Sequence, residues 1–173
     1  RRRHTRLRNV TGVQTCALPI SIHAGAEAIA FVEALSRDYP DKMDVLERLV
    51  RSWNSEGNRL MTRGEVEEVA RRYGQAVDGA ERLLKNKPGD LATIRLLGTS
   101  YMNLGDVTGN PLFFNKGDRA GALTLYRRVE KLMRDAEASG LDIVPLQQLS
   151  KSLINQAAVA VAMNDVAGAL ITA

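Results

Sequence analysis

IRLLGTSYMNLGD (94–106) leads into VTGNPLFFNKGD (107–118) and then into RAGALTLYRR (119–128). In the first block Ile94, Leu97, Gly98, Tyr101 and Leu104 recur at three- and four-residue steps, the spacing of one face of an α-helix. In the third block Ala122 and Tyr126 keep that spacing. Gly, Asn, Pro and Asp crowd the middle block, which is turn chemistry. The pattern predicts two helices packed on each other across a loop at Val107–Asp118.

The same periodicity fills the chain from Gly25 onward, with no sustained alternation of the kind strands need. GAEAIAFVEALSRDYP (25–40) predicts a helix with Ala28, Phe31, Val32 and Leu35 on one face, stopped at Pro40. Asp44 to Gly57 follows, with Leu46, Leu49, Val50 and Trp53 on one face. A polar break, NRLMTRG, leads to a long helix from about Glu65 to Lys87 whose stripe includes Val69, Tyr73, Ala76, Val77, Ala80 and Leu83. Pro88-Gly89 ends it, and Asp90 is placed to cap the helix carrying Ile94. Beyond the loop come a helix to about Ala138, a linker from Gly140 to Pro145, a helix to about Met163, and a new start at Val166.

Small residues opening successive second helices, Ala28, Ala76, Ala122 and Ala169, are 48, 46 and 47 residues apart. Pro40 to Pro88 and Gly57 to Gly105 are both 48. A repeat of about 47 residues follows, built from antiparallel helix pairs.

The first twenty residues stand apart. They hold five arginines, no acid and the only cysteine, Cys16. Their apolar run is too short and too polar for an export signal. Val10–Ile20, VTGVQTCALPI, resembles at every residue the in-frame translation of a sequencing adapter. Residues 1–20 are therefore expected to be non-native, with 21–173 a helical-repeat fragment cut at both ends. Without 1–20, nineteen basic residues face twenty acidic ones, a formal balance of −1 in place of +4. The argument for a nucleic-acid or anionic-membrane partner disappears with that excess. So do thiol chemistry at Cys16 and the sequon at Asn9. No stretch approaches the ~18 apolar residues of a membrane span.

Ile94, Leu97, Gly98, Tyr101, Leu104-Gly105, Ala122 and Tyr126, with Pro88 before them, follow the spacing of tetratricopeptide repeats, which the chain resembles. The resemblance requires a 12-residue insertion after Asp106 and about 14 extra residues before Ala76. It implies an all-α superhelix in which Gly98, Tyr101, Gly105, Ala122 and Tyr126 are packing residues. LGDVTGNPLFFNKGDRAGALTLYRR also resembles a segment, GDVxGNPxxxNxGDxxGALxxYR, in the repeat region of acidobacterial-type transmembrane serine/threonine protein kinases. That likeness implies a parent with a kinase, a membrane span and this region as its C-terminal module. The module would then lie on the extracytoplasmic side; a free adaptor would be cytoplasmic.

Stacked helix pairs curve into a groove lined by the first helix of each pair. By analogy with the family, its positions are Asp44, Glu47, Arg51, Asn54, Arg95, Thr99, Asn103 and Lys151. No Walker sequence, kinase motif or catalytic triad occurs, and His23 is the sole histidine after residue 20, so neither a cofactor nor a metal site is expected. Asp106–Gly109 and Asn115–Asp118 echo GTPase motifs only superficially, with no P-loop to serve. Arg71-Arg72 and Arg127-Arg128 read as exposed faces rather than phosphate sites, and Glu65, Glu67 and Glu68 as a solvated first turn. Apolar Leu112, Phe113 and Phe114 are expected to fold back over the helices. The expected function is a non-enzymatic protein–protein interaction module with a protein or peptide partner, a second copy of the chain included. The alternative is a structural spacer or self-associating array with nothing in its groove.

Overall fold

The computed structural model describes residues 27–140 and 146–164, an all-α arrangement with no strand among them. Helix α1 spans 27–38. It is followed by α2 (Met43–Met61), α3 (Val66–Asn86), α4 (Leu91–Gly109), α5 (Arg119–Ala138) and α6 (Leu146–Ala162). Residues 1–26, the linker at 141–145, and Val166 and Ala169 lie outside the described residues.

Local chemistry sets the helix ends. Asp90 is extended, and its side chain accepts from the Thr93 N–H at 2.9 Å; Asp118 caps α5 by accepting from Gly121 N–H at 2.8 Å. Gly89, at φ +83°, turns the chain out of α3 in a conformation that favours glycine.

The sequence boundaries move in two places. Helix α2 does not stop at Gly57 but continues to Met61, because Leu60 is buried against Val69, Tyr73 and Val107. That apolar contact overrides the polar look of NRLMTRG. Helix α4 likewise runs on through Val107 and Thr108 to Gly109, with Val107 fully buried, so the connection is 110–118 rather than 107–118. In α1, Ile29 is the buried residue, whereas Ala28 and Phe31 are exposed, Phe31 at 68%. Its expected face was therefore rotated; only Val32 and Leu35 of that set are partly covered.

The helices pack in two rows. In one row α4 touches both α2 and α6 directly through side-chain hydrogen bonds. Asn54 donates to Ser100 Oγ (2.8 Å), Asn103 to Asn54 (3.0 Å), Gln148 to Thr99 Oγ1 (2.8 Å) and Asn155 to Asp106 (3.1 Å). Helix α3 packs between α2 and α4, and α5 between α4 and α6, each antiparallel to its sequence neighbours. The main core joins Leu46, Val50, Ala76, Ala80, Leu97, Tyr101, Val129 and Met133. Each such large apolar side chain contributes about 1.5–3 kcal/mol on burial.

Two helix pairs are built around the same contact. Gly57 of α2 abuts the ring of Tyr73, whose hydroxyl donates to Asn58 Oδ1 at 2.6 Å. Gly105 of α4 abuts the ring of Tyr126, whose hydroxyl donates to Asp106 Oδ1 at 2.6 Å. A missing Cβ on one helix admits an aromatic ring from the next, and the ring's hydroxyl is satisfied one residue further on. The tyrosines follow their glycines by 16 and 21 residues, and the connections differ by the same five (62–65 against 110–118). Aligned by this contact, Ala122 corresponds to Val69 and not to Ala76. The alanine spacing is thus seven residues, two turns, out of structural register.

Candidate functional site

The residues expected to line a groove fall into two groups. Arg51, Asn54, Arg95 and Thr99 come together, with Ser55, Asn58, Ala92 and Leu96, around a cleft of about 510 Å³ between α2 and α4. Asp44, Glu47, Asn103 and Lys151 do not line it. Glu47 is paired with Arg51 on its own helix at 2.7 Å. Asn54 is buried and bonded to Val50 O, Ser100 and Asn103, while Thr99 and the Arg95 carbonyl both accept from Gln148 of α6. Those polar side chains tie the row together. The groups left to meet a ligand are the Arg95 guanidinium and the Arg51 guanidinium in its exposed pair with Glu47, with Ser55 and the Asn58 amide nitrogen beside them, and neither Ser55 nor Asn58 was expected from sequence.

On the other face of α2 the chain repeats a second arrangement. Trp53 Nε1 donates to Glu33 Oε1 at 2.9 Å, and Arg72 pairs with the same oxygen at 2.8 Å. Forty-eight residues on from Trp53 and Glu33, the Tyr101 hydroxyl donates to Glu81; Arg128, 56 residues on from Arg72, lies 3.9 Å from that carboxylate and 5.7 Å from the Tyr101 ring centroid. Leu49 and Leu97, at the same 48-residue offset, form part of the floors. The result is two related clefts: about 470 Å³ between α1, α2 and α3, and about 480 Å³ between α3, α4 and α5. Glu33 and Glu81 could have been found by extending the 48-residue comparison from glycines and prolines to charged positions.

The electrostatics follow from these contacts. Burial pushes the Glu33 carboxyl up, but hydrogen bonds from Trp53 and Arg72 and the nearby charges of Arg72 and Arg71 outweigh it and leave it lowered. Burial, then the Glu81 carboxylate, pushes the Tyr101 hydroxyl up to about 12. Asp106 is the most buried acid of the inner row. Burial raises its pKa, although Tyr126, Asn110 and Asn155 all donate to it. Asp106 thus ties α4, the following connection, α5 and α6 to a single carboxylate.

The connection 110–118 is stitched down at both ends. Asn110 Nδ2 donates to Tyr126 Oη and Asp106, Asn115 Nδ2 to Asn110 O and Phe113 O, and the Lys116 and Asp118 amides to Val107 O and Thr108 O. Yet Leu112, Phe113 and Phe114 do not fold back over the helices. They are 69%, 41% and 63% exposed, beside Met61 and Thr62. The backbone bonds that fix the loop point its middle outward.

Among the described residues no three His, Cys, Asp or Glu side chains converge as metal ligands, and no helix is long and apolar enough to cross a membrane. No family model, curated protein or solved structure matches the chain.

Proposed function

We propose that this chain is a tetratricopeptide-like array that binds a peptide along the row formed by α2, α4 and α6. The observation that carries it is the α2/α4 cleft, where Arg51 and Arg95 are presented by two helices locked together through Asn54, Ser100 and Asn103. Repeated helix pairs exist to present such a continuous surface. The resemblance of 105–128 to bacterial serine/threonine kinase repeat regions supports placing the array in a signalling protein of that kind. Binding of a peptide library to the chain and to an Arg51→Glu/Arg95→Glu variant tests the groove. Selected peptides should lose binding to the variant; equal binding to both would remove the groove from the proposal.

A second reading, a self-associating array, is favoured by the exposed Leu112, Phe113 and Phe114 on a fixed loop. Sedimentation velocity across a concentration series tests it. A concentration-dependent dimer lost on Leu112→Ser/Phe114→Ser supports it, and a monomer throughout rejects it.

A further inference from the structure

The two related clefts share a framework but differ in charge. Between α3, α4 and α5 the lining cations are Lys85, Arg128 and Lys131, and the acids Glu81 and Asp135 stand among them. Lys131 lies 2.7 Å from Asp135 and Arg128 3.9 Å from Glu81. Between α1, α2 and α3 the lining holds four arginines, Arg37, Arg71, Arg72 and Arg82, and a single acid, Glu33.

That acid is already committed. Its Oε1 takes both the Trp53 indole N–H and the Arg72 guanidinium. Arg71 is held by Glu68 on its own helix. Arg72 Nε is buried and makes no hydrogen bond, with Glu68 Oε1 at 3.4 Å but not aligned to accept. Arg37, from the last turn of α1, and Arg82 of α3 have no carboxylate within salt-bridge distance among the described residues. Arg72 is thus no exposed face, as its sequence suggested; only 17% of its side chain is open to solvent.

We propose that the cleft between α1, α2 and α3 binds a terminal phosphoryl group, the −PO3 unit shared by the phosphomonoester of a phosphorylated serine or threonine side chain and free phosphate. Two unpaired guanidiniums supply two positive charges, and a phosphomonoester carries about −1.5 to −2 at neutral pH. Its three terminal oxygens need more donors than a carboxylate. Ser36 and Gln75 add a hydroxyl and an amide to the arginine forks on the same lining. The apolar floor of Leu49 and Trp53 reduces competing solvent around those contacts. In the α3/α4/α5 cleft Asp135 stands where such an anion would have to displace an existing ion pair. The proposal does not rest on the peptide groove, because Leu49 and Trp53 lie on the face of α2 opposite Arg51 and Asn54.

Trp53 is the only tryptophan in the chain, so its fluorescence reports on this cleft. The full 173-residue protein is titrated at constant ionic strength with inorganic phosphate, with the pentapeptide Ala-Ala-phosphoSer-Ala-Ala, and with the same peptide carrying Glu at the centre. Saturable quenching or a wavelength shift is expected with the phosphopeptide. It should weaken by about tenfold or more in Arg37→Gln/Arg82→Gln, which removes two charged donors that pair with no carboxylate among the described residues, and persist in Arg128→Gln. Tighter binding of the phosphopeptide than of phosphate identifies a protein-borne ligand, whereas equal binding identifies the free anion. No saturable change, an equal response to the Glu peptide, or an unchanged response in Arg37→Gln/Arg82→Gln would overturn the assignment. Melting temperatures of both variants within a degree of the parent confirm that the fold is intact.

Discussion

Gly105 and Tyr126 stand so close that a Cβ on residue 105 would lie 2.7 Å from the tyrosine Cε1, and Gly57 meets the Tyr73 ring still more closely. Both rings are buried, so neither can swing aside into solvent.

Alanine at these two glycines should therefore destabilise, although alanine is the better helix former. The propensity gain of about 1 kcal/mol is opposed by an overpacking cost of about 1–3 kcal/mol. Gly74, also inside a helix, has nothing within 4 Å of its virtual Cβ. Gly74→Ala should raise the melting temperature while Gly57→Ala and Gly105→Ala lower it. Thermal denaturation of the three variants decides it, and a shared sign would refute the steric account.

Tyr101 is buried and its hydroxyl is bonded to Glu81, so Tyr101→Ala should cost roughly 3–5 kcal/mol. Tyr101→Phe keeps the ring and should cost about 1 kcal/mol, one net hydrogen bond. Urea denaturation separates the two; a near-neutral Tyr101→Ala would show that the residue is not part of the core.

The pH dependence has two opposing parts. Glu33, Glu56, Glu68 and Glu130 are held below their ordinary 4.5, and Asp90 below 3.8, through hydrogen bonds and pairing. Their stabilisation is complete above those ordinary values and is lost as pH falls through the lowered ones. Asp106 is raised above 3.8 by burial, so the folded protein takes up its proton before the unfolded chain does. It therefore gains relative stability as pH falls from that raised value toward 3.8. Overall the melting temperature should drop below about pH 4.5, and the drop should be steeper in Asp106→Asn. Melting curves from pH 7 to 3 for both proteins check this; parallel curves would remove Asp106 from the account.

Replacing Leu112, Phe113 and Phe114 together by serine should change stability by no more than about 0.5 kcal/mol, as for exposed sites in general. A loss above 2 kcal/mol would mean that the loop does cover the helix pair.

Most helices were legible because strong punctuation bounds them: Pro40, Pro88-Gly89 and the Asp90 cap. The two extended ends were not, since one buried residue in each, Leu60 and Val107, decides the matter through a tertiary contact invisible in local pattern. Phe31 was misplaced for a related reason. Ile29 and Phe31 lie on different faces of one short helix, and periodicity alone does not say which face meets α2 and α3. Asn54, Asn103 and Thr99 sit at the positions the family analogy gives to ligands, yet their side chains are consumed by neighbouring helices. A polar residue facing an inner row reads the same whether it awaits a partner or already has one.

The nine-residue connection at 110–118 has a consequence for how this chain can change length. The ring-against-glycine contact is the same with four connecting residues or with nine, so beyond the buried Asn110 the added chain is taken up outside the packed helices. Position 113 is therefore a seam: a foreign segment spliced there should travel with the protein as cargo, leaving the helices beneath it in place.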